Sequence, residues 1–195
     1  MTIRQFVIKK IYPFLQKRLK TEKTSLVLSN DKNVQPLSSF YNLKATSIKG
    51  EEINFENFKK KKVLLVNTAS DCGFTPQFTE LQKLHEQYGQ QVIVLGFPAN
   101  DFKEQEKEGD AEIATFCQAN YGVTFTMMKK SGVVKNNNQN EVYEWLTDST
   151  LNGWNNQAPV WNFSKYLVNE QGVLTHYFGP SVNPMDEGII KAIRA

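Results

Sequence analysis

The chain has 195 residues, of which 40% are hydrophobic and 22% are charged, and its formal net charge is +3. These values suit one folded domain with an extension to spare. No apolar run is long enough to span a bilayer, and the basic run Lys59–Lys62 has no interleaved aromatic residues, so it is interpreted as a solvated lead into a strand rather than as a nucleic-acid-binding surface. We therefore expect neither a membrane-spanning protein nor a nucleic-acid partner.

The first 24 residues are strongly basic. They contain seven Lys or Arg and one Glu, a net charge of +6, whereas the rest of the chain carries −3. A helix here would have a kink at Pro13 and one apolar face, formed by Ile3, Val7, Ile11, Phe14 and Leu15. Such a helix could lie on an anionic membrane surface. Packing on the chain's own domain, or a frayed extension, is at least as good an interpretation.

This basic segment is a poor signal peptide, because Lys9 and Lys10 interrupt the apolar stretch and no A-x-A-like cleavage site follows. We therefore expect a cytoplasmic protein whose residues 1–24 could contact a membrane surface. Asn30–Ser39 is predicted as a linker. The predicted organisation is a basic extension and linker over residues 1–39, followed by one folded domain over residues 40–195.

Strands and helices are predicted to alternate through that domain. The predicted strands are a β-rich lead-in at Ala45–Ile53, Val63–Asn67, Gln91–Gly96, a short strand near Met127–Lys129, and a hairpin over Tyr166–Tyr177 that turns at Asn169–Gly172. The predicted helices are Pro76–Tyr88, Asp110–Asn120, Glu141–Leu146 and a last one beginning near Pro184. This alternation indicates an α/β fold, and the closing hairpin suits a central sheet of mixed direction flanked by helices.

Cys72 follows the apolar strand Val63–Asn67 and precedes the amphipathic stretch Pro76–Tyr88. Its thiol should therefore lie at the end of a buried strand and against a helix N-terminus, where free N–H groups and the helix dipole favour an anion. Such a setting commonly lowers a cysteine pKa from its usual value of roughly 8.5 and makes the thiolate a nucleophile. The alternative interpretation is a cysteine buried in the core.

The chain has two cysteines, Cys72 and Cys117. Thr75 stands where a C-x-x-C motif would have its second thiol, which disfavours a disulfide oxidoreductase. A zinc site is not expected, because His85 and His176 are the only histidines that could join the two distant thiols. Cys117 lies on a predicted helix and could be a buried structural cysteine.

Four stretches resemble the cysteine form of the glutathione peroxidase family and fall in the family's order. They are Asn67–Pro76 (NTASDCGFTP), Gly96–Glu106 (GFPANDFKEQE), Glu112–Phe125 (EIATFCQANYGVTF) and Trp161–Leu167 (WNFSKYL). The resemblance implies a thioredoxin-like fold and an enzyme that reduces hydrogen peroxide and organic or lipid hydroperoxides through a cysteine sulfenic acid, without a cofactor, in the response to oxidative stress. It maps the family's catalytic tetrad onto Cys72, Gln105, Trp161 and Asn162.

The resemblance also implies a role for Cys117. In family members that use thioredoxin, a second cysteine in a very similar stretch resolves the sulfenic acid by forming an intramolecular disulfide. Thioredoxin is therefore the expected reductant, with glutathione as the alternative. The short segment Thr147–Val160 contains no arginine, and the tetrameric, glutathione-using relatives have a longer insertion there, so a monomer is expected.

The residue types of the tetrad suit the reaction. A thiolate that attacks a peroxide expels hydroxide or alkoxide, so catalysis needs donors that hold the peroxide oxygens and a proton for the leaving group. The indole N–H of Trp161 and the amide N–H groups of Gln105 and Asn162 are neutral donors that can stabilise such oxyanions. Taken singly, each of these residues would be interpreted as a core aromatic or a solvated loop amide.

The chain departs from the family pattern near the predicted site. Ala99 and Asp101 replace the cysteine and glutamine of the usual F-P-C-N-Q-F, Glu106-Lys107-Glu108-Gly109 replaces E-P-G, and Phe125-Thr126 replaces F-P. Asp101 could oppose thiolate formation if it pointed inward. A second functional class, a redox-sensing thioredoxin-like module with a reversible Cys72–Cys117 disulfide, would need only the thiols, so the retained donors favour the enzyme.

Overall fold

The computed structural model describes residues 5–8, 10–12 and 20–195. Its strands are β1 (Val27–Ser29), β2 (Lys44–Thr46), β3 (Glu52–Asn54), β4 (Lys62–Thr68), β5 (Val92–Pro98), β6 (Thr126–Met127), β7 (Lys165–Val168) and β8 (Leu174–Phe178). Its α-helices, numbered from residue 20 onward, are α1 (Gln77–Tyr88), α2 (Asp110–Tyr121), α3 (Glu141–Leu146), α4 (Ser149–Asn152) and α5 (Glu187–Arg194), and short 3-10 helices lie at Phe40–Asn42 and Phe55–Phe58.

Six strands form one mixed sheet in the order β1-β8-β7-β4-β5-β6. Strands β4, β5 and β6 run parallel, whereas β7 is antiparallel to β4, and β8 is antiparallel to both β7 and β1. Strands β2 and β3 form a separate two-stranded sheet. The predicted α/β fold with a central mixed sheet is confirmed.

The central strands are apolar on both sides because helices cover both faces of the sheet. Successive side chains of a strand point to opposite faces. Leu64 and Val66 of β4 pack into the core that contains side chains of α1, α2 and α5, whereas Val63 and Leu65 pack into the core that contains side chains of α3. This burial holds β4 in the middle of the sheet. Cys72 follows shortly after the carboxyl end of this buried strand.

Most predicted elements are present within two residues of their expected bounds. The last helix is an exception, because it begins at Glu187 and not near Pro184. The Asp186 side chain caps this helix by accepting the Gly188 N–H at 2.8 Å, and Pro184 lies in the preceding turn, in which the Asp186 N–H donates to the Asn183 carbonyl. The short elements β1 and α4 have too little periodicity to be read from the sequence.

The predicted extension and linker contribute to the folded structure. Strand β1 pairs with β8, and the Ser38 carbonyl accepts the indole N–H of Trp145 at 2.7 Å. Residues 5–8 and 10–12 are helical, with the Gln5 side-chain amide donating to the Ser70 carbonyl at 3.1 Å and with Tyr12 buried.

Part of the predicted apolar face cannot be compared with the structure. Ile3, Pro13, Phe14 and Leu15 lie outside the described residues. In the described part of the chain, no helix is both long enough and apolar enough to cross a lipid bilayer.

Candidate active site

Cys72 lies in a tight turn between β4 and α1. Its backbone N–H donates to Thr75 Oγ1 at 2.9 Å, and the Thr75 hydroxyl donates to the Ala69 carbonyl at 2.8 Å. The N–H groups that begin α1 are already used within this turn, since that of Gln77 donates to the carbonyl of Phe74. The sulfur instead accepts the Phe74 N–H, at 3.4 Å. Phe74 lies in the turn before α1, so this donor does not belong to the helix N-terminus that the sequence predicts to face the thiol.

The Cys72 side chain is fully buried. This burial raises the pKa of the Cys72 thiol to about 11, although hydrogen bonds from the Phe74 N–H and from the side chains of Trp161 and Asn162 lower it, and the nearby charge of Asp71 raises it further. The expected lowering of this pKa is wrong, because the cost of desolvating a thiolate at this buried sulfur outweighs the effect of the neutral donors. The resting thiol keeps its proton at neutral pH.

Trp161 and Asn162 belong to a loop that is hydrogen-bonded to Asn67, near the carboxyl end of β4. The Asn67 side-chain amide donates to the Trp161 carbonyl at 3.1 Å, and its Oδ1 accepts the Ser164 N–H at 3.0 Å. The Asn67 carbonyl accepts the Phe163 N–H at 2.6 Å. Sequence reasoning assigned Asn67 no role, although a fully buried asparagine at the end of an apolar strand must find partners for its amide.

Gln105 reaches the site through Asn162. Its Oε1 accepts the Asn162 amide Nδ2 at 3.0 Å, and its backbone carbonyl accepts the Asp71 N–H at 3.0 Å, next to Cys72. The structure thus brings together Cys72, Gln105, Trp161 and Asn162. Trp161 and Asn162 lie close enough to the sulfur to lower the pKa of Cys72, and Gln105 contacts Asn162.

The half-buried Trp161 ring lies at the edge of the site. It packs against Phe102, with ring centroids 5.5 Å apart, and the ammonium of Lys103 lies 5.8 Å above it. Asp101, whose charge could oppose formation of the Cys72 thiolate if it pointed inward, accepts the Val133 N–H at 2.9 Å. Its carboxylate is therefore used by the 131–133 loop, and it is not among the groups that shift the pKa of Cys72.

Cys117 lies on α2, and its side chain is 1% exposed. Both cysteines are free thiols, and they belong to the same apolar core, together with Phe78 and Tyr121. Burial, with a smaller contribution from the charge of Glu106, raises the pKa of Cys117 far above its usual value. Cys117 also lines a cavity of about 360 Å³ between α2 and the segment around Ile48. The structure therefore holds Cys117 as a protonated thiol.

Glu106 is a buried carboxyl group that sequence reasoning treated only as part of a divergent motif. It follows Gln105 directly and is 1% exposed, and its Oε2 accepts the Ser70 hydroxyl at 3.0 Å. Burial raises the pKa of Glu106 to about 7, although Ser70 and the charge of Lys130 lower it. The adjacent residues Gln105 and Glu106 thus both hydrogen-bond the segment directly before Cys72, at Asp71 and Ser70.

Comparisons with known proteins support the family that the sequence resembles. A family model described as glutathione peroxidase matches residues 40–147. The Saccharomyces cerevisiae glutathione peroxidase-like peroxiredoxin 2 is 42% identical over 148 residues, which cover 75% of this chain and 91% of the yeast protein. The Lactococcus lactis glutathione peroxidase is 40% identical over 158 residues, which cover 80% of this chain and 99% of that protein.

A solved structure gives the same result at the level of the fold. The crystal structure of T. cruzi GPX1 matches with a TM-score of 0.59 and 25% identity, covering 81% of this chain and 98% of that chain. The predicted family resemblance and the thioredoxin-like fold are both confirmed. The chain belongs to the glutathione peroxidase family and is a peroxidase that acts on a thiol donor.

Proposed function

We propose that Cys72 is the residue that reduces hydroperoxides. The observation that supports this role is the set of neutral donors at its sulfur: the Phe74 N–H and the side chains of Trp161 and Asn162. The Cys72 sulfur attacks one peroxide oxygen, an S–O bond forms and the O–O bond breaks. The sulfur is oxidised to a sulfenic acid, and the other oxygen leaves as water or alcohol.

The proton count of this step suits a buried, protonated thiol. The thiol loses one proton as the sulfur attacks, and the leaving oxygen gains one, so no net proton is taken up. The donors around Cys72 would stabilise negative charge as it moves from sulfur to oxygen, an effect that is typically worth a few kcal/mol per donor. In this proposal Trp161 and Asn162 act directly, and Gln105 orients Asn162 through its Oε1.

Cys117 is proposed as the resolving cysteine, with thioredoxin as the reductant of the resulting disulfide. The Cys117 thiol attacks the Cys72 sulfenic acid, an S–S bond forms, and the hydroxyl of the sulfenic acid leaves as water with the proton of the thiol. Disulfide geometry requires the two Cα atoms to come within about 7 Å. Because Cys117 is buried on α2, we propose that α2 unwinds locally to allow this approach.

The described part of the N-terminal helix suits the proposed contact with an anionic membrane surface. Phe6, Val7 and Ile11 are each more than two-fifths exposed, while Tyr12 is buried against the domain. Residues 1–24 also carry a net charge of +6, which favours anionic lipid. Sedimentation with phosphatidylcholine vesicles, with and without phosphatidylglycerol, tests this contact. Binding that does not weaken in Ile11→Ser or in high salt would contradict it.

One steady-state experiment tests the proposed function as a whole. Hydroperoxide reduction is followed as NADPH consumption with thioredoxin and thioredoxin reductase, and in parallel with glutathione and glutathione reductase. We expect faster turnover with thioredoxin, loss of turnover in Cys72→Ser, and a monomer of 22.3 kDa by light scattering. Turnover that persists in Cys72→Ser would refute the proposed nucleophile. A stable tetramer recycled efficiently by glutathione would refute the proposed reductant and assembly.

A further inference from the structure

Lys165 is a fully buried lysine close to the candidate active site. It is the first residue of β7, and its side chain is 0% exposed. Its Nζ donates to three backbone carbonyls: that of Val182 at 2.6 Å, that of Phe163 at 2.9 Å and that of Pro180 at 3.4 Å. Burial lowers the pKa of Lys165 well below its usual value, although the charge of Glu80 raises it. Burying an ammonium group costs several kcal/mol before such contacts compensate, so its presence here calls for a physical reason.

The contact with Phe163 falls on a strained residue. Phe163 has a φ of +68°, in the left-handed region that side chains other than glycine rarely adopt. Such conformations cost about 1–3 kcal/mol and persist where the surroundings impose them. Here the Phe163 N–H is held by the carbonyl of Asn67 and its carbonyl is held by Lys165. Lys165 is thus one of two groups that fix the backbone directly after Trp161 and Asn162.

The same lysine connects the donor loop to the helix that follows Cys72. The Gln77 side-chain amide, at the start of α1, donates to the Pro180 carbonyl at 2.6 Å, and Lys165 donates to that carbonyl as well. The Phe163 ring packs edge-on against Phe78 of α1, with ring centroids 5.3 Å apart. A change at Lys165 would therefore alter the position of the donor loop relative to the Cys72 turn.

We propose that Lys165 is a positioning residue for peroxide reduction: its buried Nζ holds Phe163 in the left-handed conformation and so directs the side chains of Trp161 and Asn162 at the sulfur of Cys72. This inference rests on the proposed function, in which those two side chains are the donors. A small misplacement of reacting groups can cost about a hundredfold in rate. The expected effect of removing the Lys165 Nζ is a ten- to hundredfold slower oxidation of Cys72.

A double-mutant cycle on the rate of Cys72 oxidation tests this role. The second-order rate constant with hydrogen peroxide is measured by stopped flow for Lys165→Met, Asn162→Ala and the double variant. Two residues that act through the same contact have non-additive effects. Because Lys165→Met would still misplace Trp161 when Asn162 is absent, we expect the loss in the double variant to be clearly smaller than the product of the two single losses. Multiplied losses, or an unchanged rate in Lys165→Met, would overturn the inference.

Lys62 provides a matched control. It is a second poorly exposed lysine, 8% exposed, which pairs with Glu170 at 3.0 Å at the opposite end of β4 from Asn67. Lys62→Met should lower the free energy of unfolding and leave the oxidation rate unchanged. If Lys62→Met slowed oxidation as much as Lys165→Met, the effect would be one of general stability and the inference would fail.

A weaker variant covers the case in which Lys165→Met does not fold. Gln77→Met removes one contact to the Pro180 carbonyl and leaves the lysine in place. It should slow oxidation about three- to tenfold, again without additivity with Asn162→Ala, and an unchanged rate would overturn the inference. If Asn162→Ala and Trp161→Ala both oxidised at the normal rate, the proposed donors themselves would be wrong. Normal oxidation in the Lys165 and Gln77 variants, with slow oxidation in the donor variants, would reject the positioning role alone.

Discussion

Asn162 Nδ2 donates a hydrogen bond to Gln105 Oε1 at 3.0 Å, and the Asn162 side chain also lowers the pKa of the Cys72 thiol. The Asn162 Nδ2 carries two N–H groups, so the one donated to Gln105 leaves a second that can be donated elsewhere. By accepting from Nδ2, Gln105 fixes which end of the amide is the amino end, and in the proposed mechanism the second N–H of that end is donated to the Cys72 sulfur. The two amides act as one unit, although they lie 57 positions apart in the sequence.

Gln105→Ala should slow the oxidation of Cys72 by roughly ten- to a thousandfold, the range for loss of one oriented donor or proton-transfer partner. The loss should be visible in stopped-flow oxidation of Cys72 itself and not only in recycling by thioredoxin. Gln82 is a matched control, because it is a buried glutamine on α1 whose amide is used by Thr124. Gln82→Ala should oxidise normally, and an unchanged rate in Gln105→Ala would remove Gln105 from the mechanism.

Thr75 should be needed for the shape of the Cys72 turn. Its hydroxyl accepts the Cys72 N–H and donates to the Ala69 carbonyl, and both bonds are buried. Thr75→Val has nearly the same volume and leaves these two backbone groups without their partner, which costs about 1–3 kcal/mol for each buried group. We expect a lower free energy of unfolding in urea and slower Cys72 oxidation. Thr75→Ser keeps the hydroxyl and should restore the rate; equal defects in both variants would contradict this role.

Glu106 should make the protein less stable as the pH rises from about 4.5 to about 7. Its folded pKa is raised to about 7 by burial, so between these values the folded state binds more protons than the unfolded state. Stability is therefore highest when the carboxyl is protonated and falls as it ionises, by up to ~3 kcal/mol at about 1.4 kcal/mol per pKa unit. Lys130 reduces this effect and Glu108 increases it.

Urea unfolding of the wild type and Glu106→Gln across this pH range measures the effect. The amide cannot ionise, so the difference in unfolding free energy between variant and wild type should shift in favour of the variant as the pH rises. A difference that stayed constant from pH 4.5 to 8 would show that Glu106 titrates normally in the folded protein.

The fold was largely predictable because its elements have strong hydrophobic periodicity. Strands β4 and β5 are buried apolar runs and α1 is amphipathic, so the predicted bounds of these three elements agree with the structure to within about two residues. The four residues of the tetrad were found through family motifs. Their mutual geometry was not predictable, since it depends on hydrogen bonds between segments that are far apart in sequence.

Two features of the site illustrate that limit. The pKa of Cys72 was expected to be low from its place before a helix, but complete burial reverses the direction, and burial depends on the whole fold. Lys103 and Glu104, directly before Gln105, both have positive φ values, 52° and 51°. Neither Lys nor Glu favours that conformation, so the turn directly before Gln105 could not be predicted from the sequence.

The two cysteines should form a disulfide when the protein meets one equivalent of peroxide. Both are reduced and buried in the same core, and α2, which carries Cys117, is bounded by Gly109 and by Gly122 at a φ of +63°. Glycine accepts large backbone changes at low steric cost, so both positions could serve as hinges while α2 unwinds. Peptide mass spectrometry after peroxide treatment should therefore find a Cys72–Cys117 linkage within one chain.

Cys117→Ser separates oxidation from resolution. The first oxidation of Cys72 should keep its rate, because the serine lies outside the donor set. Thioredoxin-dependent turnover should collapse, since no resolving thiol remains, and the persistent sulfenic acid should be oxidised further to sulfinic acid, which gains one oxygen in the mass spectrum. Full thioredoxin turnover in Cys117→Ser, together with no Cys72–Cys117 peptide in the wild type, would instead require a one-cysteine cycle in which an external thiol reduces the sulfenic acid of Cys72.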